Sequence, residues 1–177
     1  MTGECRKLSD IQLTNMIAEF GPMRCWKVGL YFGSMVYFHM QDKVGAPASD
    51  GSDACIGGAT LSLDGDAWSI LDCGVELNNS AVVTRDFAET TLDHRFSGQE
   101  LLSFRLDKAE DRLSISFSGD LEILVSLNGP EENGTEDLMT FTLPNGQIAC
   151  LNSLHGLVLS DEIIEETAAL WRQQRVN

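Results

Sequence analysis

Apolar and polar residues alternate along most of the second half of the chain. Every second position is apolar in four runs: Leu102, Phe104 and Leu106; Leu113, Ile115 and Phe117; Leu121, Ile123, Val125 and Leu127; and Met139, Phe141 and Leu143. A period of two is typical of antiparallel strands that bury one face. We therefore predict a series of strands over 101–159, in which the even positions of 113–127 form a small-residue and acidic outer face.

Turn-forming residues predict where the chain reverses direction. Ser118-Gly119-Asp120 is a connector of turn-forming residues, and Asn145-Gly146 supplies residues that tolerate positive φ in a hairpin turn. Residues 25–40 are rich in aromatic and β-branched side chains and predict two strands or one bent strand, with the break at Gly33-Ser34. Asp64-Gly65-Asp66 lies between two alternating runs and predicts a further hairpin.

Helical spacing is found only near the two ends of the sequence. Residues 9–20 place apolar residues on one face, and Ser9 with Gln12 three positions later forms a capping-box pattern. Residues 160–174 begin with Ser160 and several acids, a pattern that favours a helix start. The fold class that follows is mainly β (α+β): an antiparallel β sandwich or partly open barrel with an N-terminal and a C-terminal helix.

The domain organisation is expected to be simple. A chain of 177 residues fits one domain, so we predict a single domain over 1–177. Glycine, proline, serine and aspartate dominate 41–58, which predicts a flexible loop there. The first ten residues carry no apolar run of the kind that a secretory signal needs, and we expect a cytoplasmic protein.

The charge of the chain limits its partners. With 27 acidic and 12 basic residues the formal net charge is −15. This excess repels nucleic-acid phosphates and anionic membranes, so neither is expected as a partner, whereas a basic protein is electrostatically favoured. An acidic surface that only keeps a protein soluble is the alternative explanation.

Familiar catalytic and metal-binding patterns are absent from the sequence. Five cysteines at irregular spacing indicate reduced thiols, and His39, His94 and His155 have no partner at metal-ligand spacing. No phosphate-binding loop or nucleophile elbow is present, and a Cys150–His155 dyad is the one nucleophilic pairing left open. We therefore predict no catalytic residue, no metal and no cofactor.

Two groups of residues remain as candidate contact sites. The first is acidic and comprises the loop residues Glu131, Glu132, Glu136 and Asp137, with Asp120 and Glu122 on the outer face of 113–127. The second is aromatic and comprises Trp26, Tyr31, Tyr37 and Trp68, which line a core, a cavity or a contact surface.

The run "DRLSISFSGDLEILVSLNGPEENGTEDLMTFTLPNGQIACLNSLHGL" (111–157) resembles a carboxy-terminal pattern of small uncharacterised bacterial β-rich proteins. In that pattern a strand pair precedes a variable loop, an aromatic strand and a P-[DN]-G turn. This chain carries Phe141 where a tryptophan is commoner. Some proteins of this kind resemble toxin-immunity proteins, and the resemblance implies an inhibitor without catalytic residues.

Two main hypotheses for the function follow from the sequence. The first is a non-enzymatic acidic protein-binding module, which the resemblance makes an immunity-type inhibitor of a basic protein. The alternative is a small-ligand-binding or enzymatic β-barrel with an aromatic-lined cavity. A structural role, such as a homodimer formed along exposed strand edges, is the third possibility.

Overall fold

Strands dominate the computed structural model of the chain, which describes residues 6–31, 33–44, 56–64, 67–128 and 137–165. Within these residues there are twelve strands: β1 (Arg6–Lys7), β2 (Cys25–Leu30), β3 (Val36–Val44), β4 (Ile56–Leu63), β5 (Trp68–Asp72), β6 (Val75–Asn79), β7 (Leu101–Asp107), β8 (Arg112–Phe117), β9 (Leu121–Ser126), β10 (Asp137–Thr142), β11 (Gln147–Asn152) and β12 (Gly156–Ile163). The helical elements are α1 (Asp10–Ala18), α2 (Arg85–Phe87), a π-helical turn (Ala88–Leu92) and α3 (Asp93–Phe96).

The strands form two antiparallel sheets that share one hydrophobic core. The larger sheet has the order β1-β12-β11-β10-β4-β3-β2, and the smaller has the order β6-β5-β9-β8-β7. Phe38 of the larger sheet lies 6.1 Å from Phe117 of the smaller, and Phe104 lies 5.6 Å from Phe141 across the same interface. The two sheets therefore pack face to face, and the predicted mainly β, antiparallel fold is confirmed.

The hairpin of β8 and β9 follows the period-two pattern closely. Leu113, Ile115, Leu121 and Ile123 are all buried, while the even positions between them are partly exposed. Asp120 adopts a φ of 58° in the turn between the strands. Local alternation was sufficient here because both strands pair with direct neighbours in the sequence.

The prediction of a pair of terminal helices is not borne out, because helix α1 is present near the amino end but strand β12 occupies the predicted start of the second helix. Helix α1 follows Ser9, whose Oγ accepts a 3.1 Å hydrogen bond from the Gln12 backbone N–H. At the other end, Ser160 is part of strand β12 and pairs with Ile148, so the helix start predicted at Ser160 is wrong. The remainder of that predicted helix, from 166 onward, lies outside the described residues.

Two further expectations are corrected by the sheet topology. Strands β4 and β5, before and after Asp64-Gly65-Asp66, belong to different sheets, so the predicted hairpin does not pair them; Gly65 and Asp66 lie outside the described residues. The predicted loop 41–58 overlaps β3, which extends to Val44, and β4, which begins at Ile56; residues 45–55 lie outside the described residues. Gln41, with a φ of 62°, marks a bulge that bends β3 within this range.

The helical segment 85–96 was not anticipated, because residues 74–99 are mostly polar. Thr84 caps it with a 3.2 Å hydrogen bond from the Phe87 N–H, and Ala88, Leu92 and Phe96 are buried at a spacing of four. The segment lies along β2, where Asp93 accepts a 2.6 Å hydrogen bond from the Val28 N–H. Within the described residues, no helix combines the length and apolar character needed to cross a bilayer.

Candidate functional site

Four ring side chains form a continuous cluster on β2, β3 and the turn between them. Trp26 stacks on His39 with ring centroids 5.5 Å apart, His39 lies 4.8 Å from Tyr37, and Tyr37 lies 4.2 Å from Tyr31. These residues, Trp26, Tyr31, Tyr37 and His39, are called the aromatic cluster below. Because Phe38 between them points into the core, Tyr37 and His39 face outward from the larger sheet.

The pairing of β2 with β3 explains how the aromatic cluster is built. The two strands are in antiparallel register, with Gly29 opposite Tyr37 and Lys27 opposite His39. A Cβ atom at Gly29 would collide with the Tyr37 ring, so the ring lies directly over the glycine backbone. The absence of a side chain at Gly29 is therefore a geometric requirement of the aromatic cluster.

His39 is the least exposed polar residue of the aromatic cluster, with a relative exposure of 7%. Its Nδ1 lies 3.0 Å from the Thr60 hydroxyl on the neighbouring strand β4. Burial, with a smaller effect from the positive charge of Lys27, lowers the pKa of His39 from its usual 6.5 to about 4. The imidazole is therefore neutral at physiological pH and contributes ring area and a hydrogen bond rather than charge.

Ion pairs border the aromatic cluster on the side of the helical segment. Lys27 Nζ lies 4.0 Å from Asp93 Oδ2, and Arg85 Nη1 lies 3.0 Å from Glu89 Oε1. Arg85 also donates a 2.9 Å hydrogen bond to the Tyr31 carbonyl, which attaches the helical segment to the end of β2. These charges cancel in pairs, so the border of the aromatic cluster is polar but close to neutral.

Burial keeps three titratable side chains of this region in their neutral forms. Burial, and secondarily Tyr31, raises the pKa of the Tyr37 phenol, which therefore stays protonated. The Cys25 thiol on β2 is buried, and its pKa is raised to about 12, so it does not form the thiolate that a nucleophile requires. Neither group, nor the neutral His39, is tuned for proton transfer near pH 7.

Trp68 is separate from the other three aromatic residues singled out in the sequence. It is only 3% exposed, and its Nε1 donates a 3.1 Å hydrogen bond to the carbonyl of Ser34 in the β2–β3 turn. Trp68 lies between the sheets, whereas Trp26, Tyr31 and Tyr37 lie on the outer side of the larger one. A single cavity lined by all four aromatic residues is therefore not the arrangement that is found.

The acidic candidates fall in three places. Asp137 is exposed at the start of β10, at the end of the larger sheet where Tyr31 also lies, about three strand spacings or roughly 14 Å away. Glu122 lies on β9 of the smaller sheet, and Asp120 lies in the turn before it. The Asp120 carbonyl accepts a 2.9 Å hydrogen bond from the Cys73 N–H, at the end of the smaller sheet away from Trp68 and the β2–β3 turn. Glu131, Glu132 and Glu136 lie outside the described residues.

Sequence reasoning missed His39 and the charged border formed by Lys27, Arg85, Asp93 and Glu89. The signal for His39 was its place one position beyond Phe38 in a strand, which sends it to the same face as Tyr37. No sequence signal linked Arg85 to Tyr31, because their contact depends on where the helical segment lies. Within the described residues, no group of three or more His, Cys, Asp and Glu side chains could hold a metal ion.

Comparison with known proteins gives no further assignment. No protein-family model, no curated protein and no solved structure matches the chain.

Proposed function

We propose that the chain is a non-enzymatic binding module that docks a basic protein through the outer face of the larger sheet that carries the aromatic cluster, as far as the strand ends where Tyr31 and Asp137 lie. In keeping with the resemblance of residues 111–157 to immunity-like proteins, docking would inhibit the partner, and the cytoplasm is its proposed location. The observation that carries the proposal is the aromatic cluster, three large rings and an imidazole in contact on the outer face of a sheet.

The composition of the aromatic cluster supports a contact role. Tyrosine, tryptophan and arginine are the residues most enriched among those that dominate binding energies, and Trp26, Tyr31, Tyr37 and Arg85 lie together here. Tyr31 is 42% exposed, so a partner can cover much of its ring. Because the rings already pack against one another, little side-chain freedom would be lost on binding.

The charge of the molecule supports a basic partner. A net charge of −15 attracts a positively charged protein over long range and accelerates encounter. The border of the aromatic cluster is nearly neutral, so the attraction comes from the surrounding surface, including Asp137 and the predicted acidic loop 131–137. Aromatic contacts would then set the dissociation rate, and charge the association rate.

The proposal is tested by comparing what two variants retain from a lysate of the source organism. Tyr31→Ala removes the most exposed ring, and Leu102→Ala is its matched control, since Leu102 is 51% exposed on the smaller sheet. We expect the wild-type chain and Leu102→Ala to retain the same basic protein at low salt, and Tyr31→Ala to lose it. Repeating the capture at about 0.5 M salt, where the Debye length falls to roughly 4 Å, should release the partner.

The affinity is then measured between the purified chain, or each variant, and the purified partner. Removal of a ring at the centre of a contact is expected to weaken the affinity by at least about 2 kcal/mol, or roughly thirtyfold. Equal affinity of Tyr31→Ala and Leu102→Ala for the partner would contradict the proposed contact surface. A retained protein that is acidic, or that salt does not release, would contradict the basic-partner assignment.

A further inference from the structure

A groove of about 490 Å³ lies on the outer face of the smaller sheet, apart from the aromatic cluster. Its floor includes Ser69 and Leu124, which face each other across β5 and β9. Ser80 and Ala81, in the turn after β6, form one wall. Its volume is in the range of sites that hold small molecules, and its lining mixes apolar and polar side chains as such sites do.

Two opposite charges border this groove without pairing with each other. Arg112, at the start of β8, and Glu110, in the preceding turn, both line it. Within the described part of the chain, the ion pairs of arginine are Arg24 with Glu100, Arg85 with Glu89 and Arg95 with Asp72. The guanidinium of Arg112 and the carboxylate of Glu110 take part in none of them.

Two hydroxyl groups of the groove are also available to a ligand. The hydroxyls of Ser69 and Ser80 make no side-chain hydrogen bond within the described residues, so each can donate or accept one. The Ser80 N–H, in contrast, is already used in a 3.0 Å bond to the Trp68 carbonyl. The groove thus offers the Arg112 guanidinium, the Glu110 carboxylate, the hydroxyls of Ser69 and Ser80, and the apolar side chains of Leu124 and Ala81.

From this arrangement we infer that the groove binds a small zwitterion of the free α-amino acid class with an apolar side chain. The ligand carboxylate bonds to the Arg112 guanidinium, which matches it in geometry and charge, and the ligand ammonium bonds to the Glu110 carboxylate. The side chain lies on Leu124 and Ala81. A purely anionic ligand would face both Glu110 and the net charge of −15, whereas a zwitterion carries no net charge and avoids this repulsion.

The test uses L-leucine as the probe and the full chain labelled with nitrogen-15. Amide shifts are followed by nuclear magnetic resonance up to the solubility limit of the amino acid. We expect saturable shifts centred on Ser69, Ser80 and Leu124. 4-Methylpentanoate, which keeps the carboxylate and lacks the ammonium, and 3-methylbutylamine, which does the reverse, should each bind at least about tenfold more weakly.

Three variants test whether Arg112 and Glu110 bind the two charged groups of the ligand. Arg112→Gln and Glu110→Gln should each weaken L-leucine binding by about tenfold or more, because each leaves one ligand charge unpaired. Arg105→Gln is the matched control, since Arg105 lies on the same sheet face without lining the groove. Absence of saturable shifts in the wild type, a loss in only one of the two groove variants, or equal binding of either singly charged probe would overturn the assignment.

Discussion

At the scale of single residues, the aromatic cluster depends on one histidine that is kept neutral and on one glycine that leaves room for a ring. His39 is buried beside Lys27, and its pKa is about 4. The ring of Tyr37 packs against the backbone of Gly29. Both residues affect the stability of the fold in ways that can be measured without knowing the partner.

The first prediction concerns acid. The folded-state pKa of His39 lies below the usual 6.5, so between pH 6.5 and pH 4 the unfolded chain binds the extra proton and the folded chain does not. Stability is therefore full above pH 6.5 and falls as the pH is lowered to 4, by about 3 kcal/mol from this residue. His39→Gln should remove that part of the loss, as measured by urea unfolding at several pH values.

A control variant separates this effect from general acid destabilisation. His155 is an exposed turn residue, and His155→Gln removes a histidine without touching the aromatic cluster. If wild type and His39→Gln lose the same free energy of unfolding between pH 6.5 and pH 4, His39 is not held neutral by its surroundings.

The second prediction concerns the glycine under the ring. Gly29→Ala places a methyl group where Tyr37 lies, and we expect the free energy of unfolding to fall by about 1–3 kcal/mol, since overpacking forces the ring to move. In a Tyr37→Ala background the same substitution should cost much less, because the obstacle is gone. Additive costs in this double-mutant cycle would exclude the close contact between the two residues.

At the scale of elements, polar side chains protect one edge strand of each sheet, β7 of the smaller and β2 of the larger. On β7, the Thr14 hydroxyl of helix α1 accepts a 3.0 Å hydrogen bond from the Phe104 N–H and lies 3.3 Å from the Phe104 carbonyl, to which it donates. Asp10 of the same helix accepts a 2.8 Å hydrogen bond from the Leu106 N–H. On β2, the Asp93 carboxylate likewise accepts a hydrogen bond from the backbone N–H of Val28. Edges occupied in this way are unavailable to other chains.

The third prediction follows from that edge. Thr14→Val keeps the shape of the side chain and leaves the backbone groups of Phe104 without their partner, which should lower the free energy of unfolding by about 1–3 kcal/mol. The exposed edge should also increase self-association, measured by size-exclusion chromatography. Thr90→Val is the control, because among the residues that the structure describes the Thr90 hydroxyl bonds only to the Asp86 carbonyl of its own helical segment. Similar behaviour of the two variants would show that α1 does not protect β7.

At the scale of the whole molecule, the distribution of charge decides how fast a basic partner arrives. The described acids are spread over both sheets. Asp137 is the first residue of β10, and the predicted acidic loop precedes it in sequence. The start of β10 is at the end of the larger sheet where Tyr31 lies. Long-range attraction depends on net charge, whereas local steering depends on where the charges lie relative to the contact.

The fourth prediction separates these two contributions. Glu136→Lys with Asp137→Lys changes the net charge as much as Glu19→Lys with Glu76→Lys, at two exposed positions on other elements. The first pair should slow association with the partner several-fold more than the second and should flatten its salt dependence. Equal rates would mean that net charge alone steers the partner and that the loop is not part of the contact.

The outcome of each sequence prediction depended on how local its signal was. The buried and exposed positions of Leu113–Val125 could be predicted because alternation is a property of one strand, and its hairpin partner is adjacent in sequence. In β7 the alternation misled at Leu102, which is exposed, because a bulge after Leu101 shifts the register. Composition alone indicated a group that includes Tyr31, Tyr37 and Trp26. Whether these side chains face the core or the outer surface could not be predicted from the sequence.

The sequence by itself determined the strands with regular alternation, such as β8 and β9, and which face of each is apolar, because pleating and turn chemistry act over a few residues. The tertiary structure decided the rest. It placed Ser160 in a strand, since hydrogen bonding to β11 outweighs the local capping preference. It also placed β4 and β5 in different sheets, and it brought Thr60 to His39 and Arg85 of the helical segment to the carbonyl of Tyr31. Contacts between residues far apart in sequence do not produce a local pattern of apolar and polar positions. The arrangement of the candidate site could therefore be seen only in the tertiary structure.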